Sequence, residues 1–230
     1  MKRMSETRII LASASPRRRL LLQQIGLSYT VVPADIEEEI APNSDPADAV
    51  QVLSLQKALS VSERSEVADI NDDILIIGAD TIVVLNNDIL GKPLSSDQAV
   101  DMLRSLSGQT HQVYTGVAFV FRGGDSRQWH SDPAVSAVTG IFQHHAFHER
   151  TDVTFGKLSQ AEITAYVESG SPLDKAGAYG IQDDLGALFV ERINGDYYNV
   201  VGFPLFRFYR EVNKVLPGVV TPFEHASRIL

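Results

Sequence analysis

Residue types suited to binding an anion are concentrated at the start of the first predicted helix. Ser13–Arg18 have the sequence Ser-Ala-Ser-Pro-Arg-Arg and directly follow the apolar run Ile9–Ala12. A strand that turns into a helix N-terminus presents free N–H groups and the positive end of the helix dipole, and both favour an anion. The two serine hydroxyls and the guanidinium groups of Arg17 and Arg18 would add donors that suit phosphate. The segment therefore predicts a phosphate-binding turn, and an ordinary capped helix with exposed arginines is the alternative.

An acid and a lysine at positions expected to be buried are the next candidates. Asp80 follows the apolar run Ile74–Ile77 and is expected at or near the carboxyl end of a strand, where ligand crevices open in α/β folds. A carboxylate there is costly unless it is paired, metal-bound or catalytic, or bonded to N–H groups of a turn. Lys57 continues the inward stripe of Val50 and Leu53. It therefore needs a carboxylate or phosphate partner, unless its side chain reaches solvent.

Three further segments give weaker signals. Gly91–Pro93 place Lys92 between a glycine and a proline, and Glu37–Glu39 form a carboxylate cluster of the kind that suits Mg²⁺. Leu173–Gln182 contain glycines that allow close approach to a ligand, and the Gln182 amide could read a base edge. The alternative is a plain loop for the first segment, a solvated charged face for the second and a flexible connection for the third. The histidines at 144, 145 and 148 lack the context of a zinc helix and are not expected to bind metal.

These residues are set in alternating apolar runs and helical patterns, which indicate an α/β fold. The turn signal Asn194-Gly195 predicts a hairpin between Ala187–Ile193 and Tyr197–Val201. The polar segment 122–150 is interpreted as an insertion or long hairpin outside the core. The remaining strands are expected at Ile9–Ala12, Tyr29–Ala34, Ile74–Gly78 with a continuation at Thr81–Leu85, Ile89–Leu90 and Val113–Phe121. Helices are expected to begin near Ser15, Asp45, Ser95 or Ser96, and Ser159, with a closing helix at Leu205–Val215.

Composition excludes several classes of protein. The 230 residues carry a net charge of −9, so duplex nucleic acid and anionic membranes are not expected partners. The absence of cysteine excludes a disulfide framework and a thiol nucleophile. No apolar run approaches the roughly 18 residues of a spanning helix, and Met1–Arg8 do not resemble a secretory signal, so a cytoplasmic protein is expected. No Walker A, Gly-x-Gly-x-x-Gly or Gly-x-Ser-x-Gly motif is present at a strand end.

The motifs together resemble one family. Six blocks occur in the order seen in Maf proteins, and they span about residues 8 to 210. The blocks are Ser13–Arg18, Gly78–Thr81, Gly91–Pro93, Leu106–Gly108 with His111 and Thr115–Val117, Asp174–Gln182, and Val200–Pro204. Two departures are a long segment 122–150 and the extra acidic pair at 183 and 184.

The resemblance implies a nucleoside triphosphate pyrophosphatase that forms the monophosphate and pyrophosphate with Mg²⁺ or Mn²⁺. It implies a mixed-sheet α/β fold similar to inosine-triphosphate pyrophosphatases, with two lobes around a ligand cleft, and a homodimer. The expected arrangement is a single domain over 1–230, with one lobe at about 8–110 plus 194–215 and the other at about 111–193, and with a polar insertion at 122–150. Ala79–Thr81 and Ala178–Gln182 resemble the branch that acts on dTTP and UTP.

The same resemblance suggests a role for each matching residue. Asp80 would accept the proton and, with Glu38, help to hold the metal. The residues that would set base specificity are Arg17, Thr81 and Gln182. Those that would bind phosphate are Ser13, Arg18, Lys57 and Lys92. A non-enzymatic nucleotide-binding regulator of cell division is the alternative, although such a binder has no need of an acid among the phosphates. An enzyme that acts on another nucleotide, such as a modified pyrimidine or a purine analogue, is a second alternative.

Overall fold

The computed structural model describes residues 7–41, 44–70, 72–123, 136–139, 142–182 and 185–221. Its helices are α1 (Pro16–Gln24), α2 (Pro46–Ser62), α3 (Ser65–Ala68), α4 (Ser96–Leu106), α5 (Gln160–Glu168), α6 (Tyr197–Val201) and α7 (Leu205–Val215). Its strands are β1 (Arg8–Leu11), β2 (Thr30–Val31), β3 (Ile74–Leu85), β4 (Asp88–Leu90), β5 (Thr110–Arg122), β6 (Ser136–Thr139), β7 (Phe142–Phe155) and β8 (Val190–Asn194). Short 3₁₀ helices occupy Ser171–Asp174, Ala176–Ala178 and Gly186–Phe189.

One mixed sheet organises the fold. Its strand order is β2-β1-β3-β5-β7-β6, with β4 paired to β3 and β8 paired to β7. β1 is parallel to both of its neighbours, and the other pairs are antiparallel. The prediction of a mixed α/β fold is therefore confirmed. The likeness to inosine-triphosphate pyrophosphatases and the division into two lobes stay predictions, and the β3–β5 pairing continues across the division expected near residue 110.

The sheet has a gap along one edge of β3. β1 pairs with β3 only as far as Ile77, and β4 pairs with it only from Val83 onward. Between these two positions no described strand covers that edge, while β5 covers the other edge throughout. Asp80 therefore lies in the middle of β3, and the prediction that it stands at or near a strand end is wrong. Asp80 reaches an opening large enough for a ligand because the neighbouring strand β1 ends there, whereas its own strand β3 continues.

Two glycines allow α2 to lie directly on the sheet. A Cβ built on Gly78 would stand 2.0 Å from the Ser54 carbonyl oxygen, and one on Gly116 would stand 2.1 Å from the Val50 carbonyl oxygen. Gly116 pairs across the ladder with Asp80, so both point to the same face of the sheet. The close approach of α2 at this point brings the helix against the acid.

Several local signals in the sequence are confirmed. The Asp45 side chain caps α2, the Ser95 side chain caps α4, and Ser159 forms a complete capping box with Glu162. The closing helix α7 has the predicted bounds. Ser15 stands at the N-cap of α1 but makes no capping side-chain bond. Among the described helices, none combines the length and apolar character that crossing a membrane would require.

The predicted hairpin around Asn194-Gly195 is wrong. β8 pairs with β7 instead, and the segment expected as the second strand forms α6. The Asp196 side chain accepts a hydrogen bond from the Tyr198 backbone N–H at 2.8 Å and so caps that helix, which ends at Gly202 with φ +119°. Because Asp196 directly after Gly195 caps the next residues, a helix begins where the turn signal predicted the second strand of a hairpin.

The second predicted strand and the polar segment also differ from expectation. β2 covers only Thr30–Val31 of the predicted Tyr29–Ala34, because Pro33 cannot donate to a ladder. Within 122–150, residues from Phe142 onward belong to β7, which pairs with β5, and Phe147 is buried in the core. Phe147 therefore contradicts the placement of the whole segment outside the core, while its interpretation as an insertion or long hairpin stays a prediction. Residues 124–135 and 140–141 lie outside the described residues.

Replacing Gly116 by alanine tests the contact between α2 and the sheet. The added methyl would overlap the Val50 carbonyl oxygen, so Gly116→Ala should lower the free energy of unfolding by about 3 kcal/mol in urea denaturation. Gly91→Ala is the matched control, since no atom lies within 4 Å of its added Cβ, and its effect should stay within about 0.5 kcal/mol. Equal stability of the two variants would contradict the proposed packing constraint.

Candidate active site

A cleft of about 540 Å³ opens at the gap in the sheet. Its walls come from the turn after β1, the middle of β3, α2, the loop after β4 and the 3₁₀ segment that ends near Gln182. All nine residues assigned roles by resemblance line it, namely Ser13, Arg17, Arg18, Glu38, Lys57, Asp80, Thr81, Lys92 and Gln182. The structure thus brings together sequence blocks that lie far apart in the chain.

A buried ammonium group lies between two carboxylates in this cleft. Lys57 Nζ is 2.6 Å from Asp80 Oδ1 and 2.8 Å from Glu38 Oε1. Lys57 and Asp80 are both buried, whereas the Glu38 side chain is 43% exposed. The inward lysine therefore has the carboxylate partner that its place on α2 requires, and it does not reach out to solvent.

The charge balance keeps Glu38 ionised. Burial alone would raise the pKa of Glu38, but its hydrogen bond to Lys57 and the charges of Lys57, Lys92 and Arg18 outweigh burial and lower it. The carboxylate is therefore available as an anion throughout the neutral range.

Arg18 joins the two sides of the cleft through neutral partners. Its guanidinium donates to the Gly202 carbonyl oxygen at 3.0 Å, to Ser13 Oγ at 3.1 Å and to Thr81 Oγ1 at 3.0 Å. Burial lowers the pKa of Arg18, while the charge of Asp80 raises it in part. No carboxylate of the described residues forms a salt bridge with it. A bound anion would offset that buried charge through the N–H groups that these three bonds leave over.

Asp80 and Thr81 point to opposite faces of the sheet because they are neighbours in one strand. Asp80 meets Lys57 on the α2 face, and Thr81 meets Arg18 on the other face. Both line one cleft because the uncovered edge of β3 joins the two faces at this point. The cleft therefore offers a carboxylate–lysine side and a guanidinium–hydroxyl side.

A family model described as Maf-like protein matches residues 8–215. The chain belongs to the Maf family. Over 207 residues it is 46% identical to a dTTP/UTP pyrophosphatase of Bacillus thuringiensis subsp. konkukian (strain 97-27), covering 90% of this chain and 95% of that protein. Proteins of the same name from Bacillus anthracis and from Bacillus cereus (strain AH820) have the same identity and coverage.

In this Maf protein, Asp174 and Lys175 contribute contacts to which the sequence analysis assigned no role. Asp174 accepts from Arg17 Nη1 at 3.1 Å and from Lys175 Nζ at 2.6 Å. The first contact ties the start of α1 to the 3₁₀ segment that leads to Gln182. The motif containing the pair was recognised, but its partner on α1 is remote in sequence and no local spacing reveals it.

The loops on the opposite wall are joined by backbone contacts. The Gly177 N–H donates to the Gly91 carbonyl oxygen at 3.0 Å, which links the two glycine-containing motifs beside Lys92. Gly177 has φ +67°, and a Cβ there would lie 2.9 Å from a Val83 methyl carbon. Glycine is therefore needed for both the backbone conformation and the close approach to β3. The acidic pair at 183 and 184, expected to alter the base pocket, lies outside the described residues.

Histidines play structural parts in the regions described. Buried His111 meets the Tyr179 hydroxyl at 2.8 Å through Nε2, and this contact ties β5 to the segment before Gln182. His145 on β7 meets Glu211 on α7 at 3.0 Å. Among the described residues, no group of three or more His, Asp or Glu side chains is arranged to hold a metal ion.

Protonation of His111 should couple stability to pH. Burial lowers the pKa of His111 from 6.5 to about 4, so below pH 6.5 the unfolded chain binds a proton that the native state excludes. Stability should therefore fall by about 2 kcal/mol between pH 7 and pH 5 through this residue. His111→Gln should lose that part of the pH dependence in denaturant titrations, since glutamine cannot titrate. An imidazole resonance of His111 that titrates near its ordinary pKa would contradict this prediction.

Proposed function

We propose that this Maf protein hydrolyses nucleoside triphosphates to the monophosphate and pyrophosphate, with preference for dTTP and UTP. The observation that carries the proposal is the ammonium of Lys57 held between Asp80 and Glu38, in a cleft that also contains Arg17, Arg18 and Lys92. The cations suit a triphosphate, and the buried acid suits activation of water. The name shared by the relatives supports the same reaction.

In the proposed reaction, water attacks the α-phosphorus and the bond from that phosphorus to the bridging oxygen breaks. The monophosphate keeps the oxygen of the water, and pyrophosphate leaves with the bridging oxygen. Asp80 takes the proton from the attacking water, a role worth about 10² to 10⁴ in rate. Arg18, Lys57 and Lys92 offset the phosphate charges. Ser13, beside Arg18, adds a hydroxyl to the same phosphate subsite.

Glu38 and Asp80 fit a divalent metal ion such as Mg²⁺ or Mn²⁺. Their oxygens already converge on one cationic group, that of Lys57. Mg²⁺ is commonly held by one or two carboxylates together with substrate phosphates, without a dedicated protein cage. When bound, such an ion would supply charge neutralisation and orientation of the phosphates. Lys57 would then exchange one carboxylate for a phosphate oxygen.

Base preference is assigned to Arg17, Thr81 and Gln182. All three line the cleft, and Arg17 and the segment leading to Gln182 are held together by Asp174. A site that hydrogen-bonds a base edge rejects analogues without the matching group by factors up to about 10⁴ to 10⁵. The nucleotide-binding regulator is less well supported, because a protein that binds a nucleotide without hydrolysing it has no need of a buried acid among the cations of the cleft. Homodimer assembly and a cytoplasmic location stay predictions.

A panel of nucleotides tests the reaction. Pyrophosphate release should be fastest from dTTP and UTP in Mg²⁺ or Mn²⁺, compared with CTP, GTP and 7-methyl-GTP. Asp80→Asn should lower kcat by at least about 10² while nucleotide binding persists. Asp101→Asn, which alters a carboxylate that is 75% exposed, is the matched control and should keep full activity. Near-normal kcat in Asp80→Asn would refute the role of the base, and no release from any nucleotide would leave the regulator as the better hypothesis.

Removing the amide of Gln182 tests base recognition separately. Gln182→Ala should narrow the ratio of kcat/KM for dTTP over CTP by about tenfold, the value of one well-placed hydrogen bond to a base. Its kcat on dTTP should change less than this ratio. Gln160→Ala, on the exposed start of α5, serves as the control. An equal loss of kcat/KM with every nucleotide would instead indicate that Gln182 binds the phosphates or stabilises the fold.

A further inference from the structure

A chain of hydroxyl groups runs from the cleft into the core behind Thr81. Thr115 Oγ1 lies 3.0 Å from the Asn199 carbonyl oxygen and 2.9 Å from Thr81 Oγ1. A carbonyl can only accept, so the single hydroxyl hydrogen of Thr115 is directed to Asn199. In the contact between the two threonines, Thr81 must therefore be the donor.

The acceptor at the end of this chain is fixed in position. Asn199 is fully buried, and its side-chain amide donates to the Val113 carbonyl oxygen at 3.0 Å and to Thr151 Oγ1 at 2.9 Å. These bonds hold α6 against β5 and β7. Thr115 is fully buried as well. The direction of its hydroxyl hydrogen is thus set by the fold and does not depend on a ligand.

The bonds made by the Thr81 hydroxyl determine whether it can donate to a ligand or accept from it. Its one hydrogen is used on Thr115, and one of its two lone pairs accepts from Arg18 Nη2 at 3.0 Å. The other lone pair is available to a ligand, because Thr81 is partly exposed and lines the cleft. In this state the Thr81 hydroxyl can accept from a ligand but cannot donate to it.

We infer that Thr115 is a positioning residue that fixes the Thr81 hydroxyl as an acceptor for a hydrogen-bond donor on the nucleotide. The inference rests on the proposed function for the identity of the ligand. Two donors of dTTP fit this chemistry, N3–H of the base and the 3′-hydroxyl of the sugar. Uracil shares the N3–H group, whereas cytosine has an acceptor at N3, so the first source would also give discrimination between the pyrimidines.

The experiment compares dTTP with analogues that lack one donor each. dCTP replaces the base donor with an acceptor at N3, and 3′-O-methyl-dTTP replaces the sugar donor with an ether oxygen that can only accept. The measured quantity is the donor penalty, defined as kcat/KM for dTTP divided by kcat/KM for the analogue. In the wild type the penalty should be about tenfold or more for one source.

Two variants of Thr115 separate positioning from a purely structural role. Thr115→Val keeps the shape but removes the hydroxyl, so the Thr81 hydrogen becomes free to turn toward the acceptor that the analogue presents in place of the donor. The donor penalty should therefore shrink by about fivefold or more. Thr115→Ser keeps the hydroxyl and should retain the penalty within about twofold. Thermal unfolding of both variants shows whether each is folded under the assay conditions.

Three results would overturn the inference. They are a wild type without a penalty for either analogue, a full penalty in Thr115→Val, and an equal loss of penalty in the valine and serine variants. A wild type without a penalty overturns the inference even if Thr115→Val does not fold. Failure of the proposed function is distinct, since the wild type would then release no pyrophosphate from dTTP itself.

Discussion

The site depends on one buried ammonium group shared by two carboxylates. Lys57 can reach Asp80 only because α2 lies on the sheet with its backbone almost touching the positions of Gly78 and Gly116. A lysine and an acid buried separately would each carry a large desolvation cost, and the contact between them offsets it. The packing of the helix and the chemistry of the cleft are therefore a single constraint, and a change that moves α2 also moves the cation.

Local signals in the sequence predicted much of this arrangement. Capping residues such as Asp45 and Ser159 predicted where helices begin, because their side chains bond to N–H groups only two or three residues away. The stripe that includes Lys57 predicted its burial. The partner of Lys57 required knowledge of how α2 crosses the sheet, and this depends on two glycines far apart in the chain. The Arg17–Asp174 contact was missed for a similar reason.

The errors have two physical origins. Asp80 was expected at a strand end because its segment was treated without the neighbouring strands, whereas Tyr197–Val201 was expected in a hairpin because the turn signal was given more weight than the adjacent capping residue. β3 continues past Asp80 because β5 pairs with it throughout, while β1 stops early. The segment after Gly195 becomes helical because Asp196 caps it. Periodicity within a segment specifies its own conformation, but the edge of a sheet is determined by where the adjacent strand ends.

The distribution of charge explains how an acidic protein can receive a triphosphate. Lys57 and Arg17 are each paired with carboxylates, so an incoming phosphate must compete for them and the gain is small. Arg18 is buried among neutral acceptors, and no described carboxylate neutralises it by direct contact. Its charge is the one that an anion would compensate most strongly, since a buried guanidinium with neutral partners gains most from a charged acceptor. The anchoring of the phosphates should therefore begin at Arg18, with Lys57 engaging only after it releases a carboxylate.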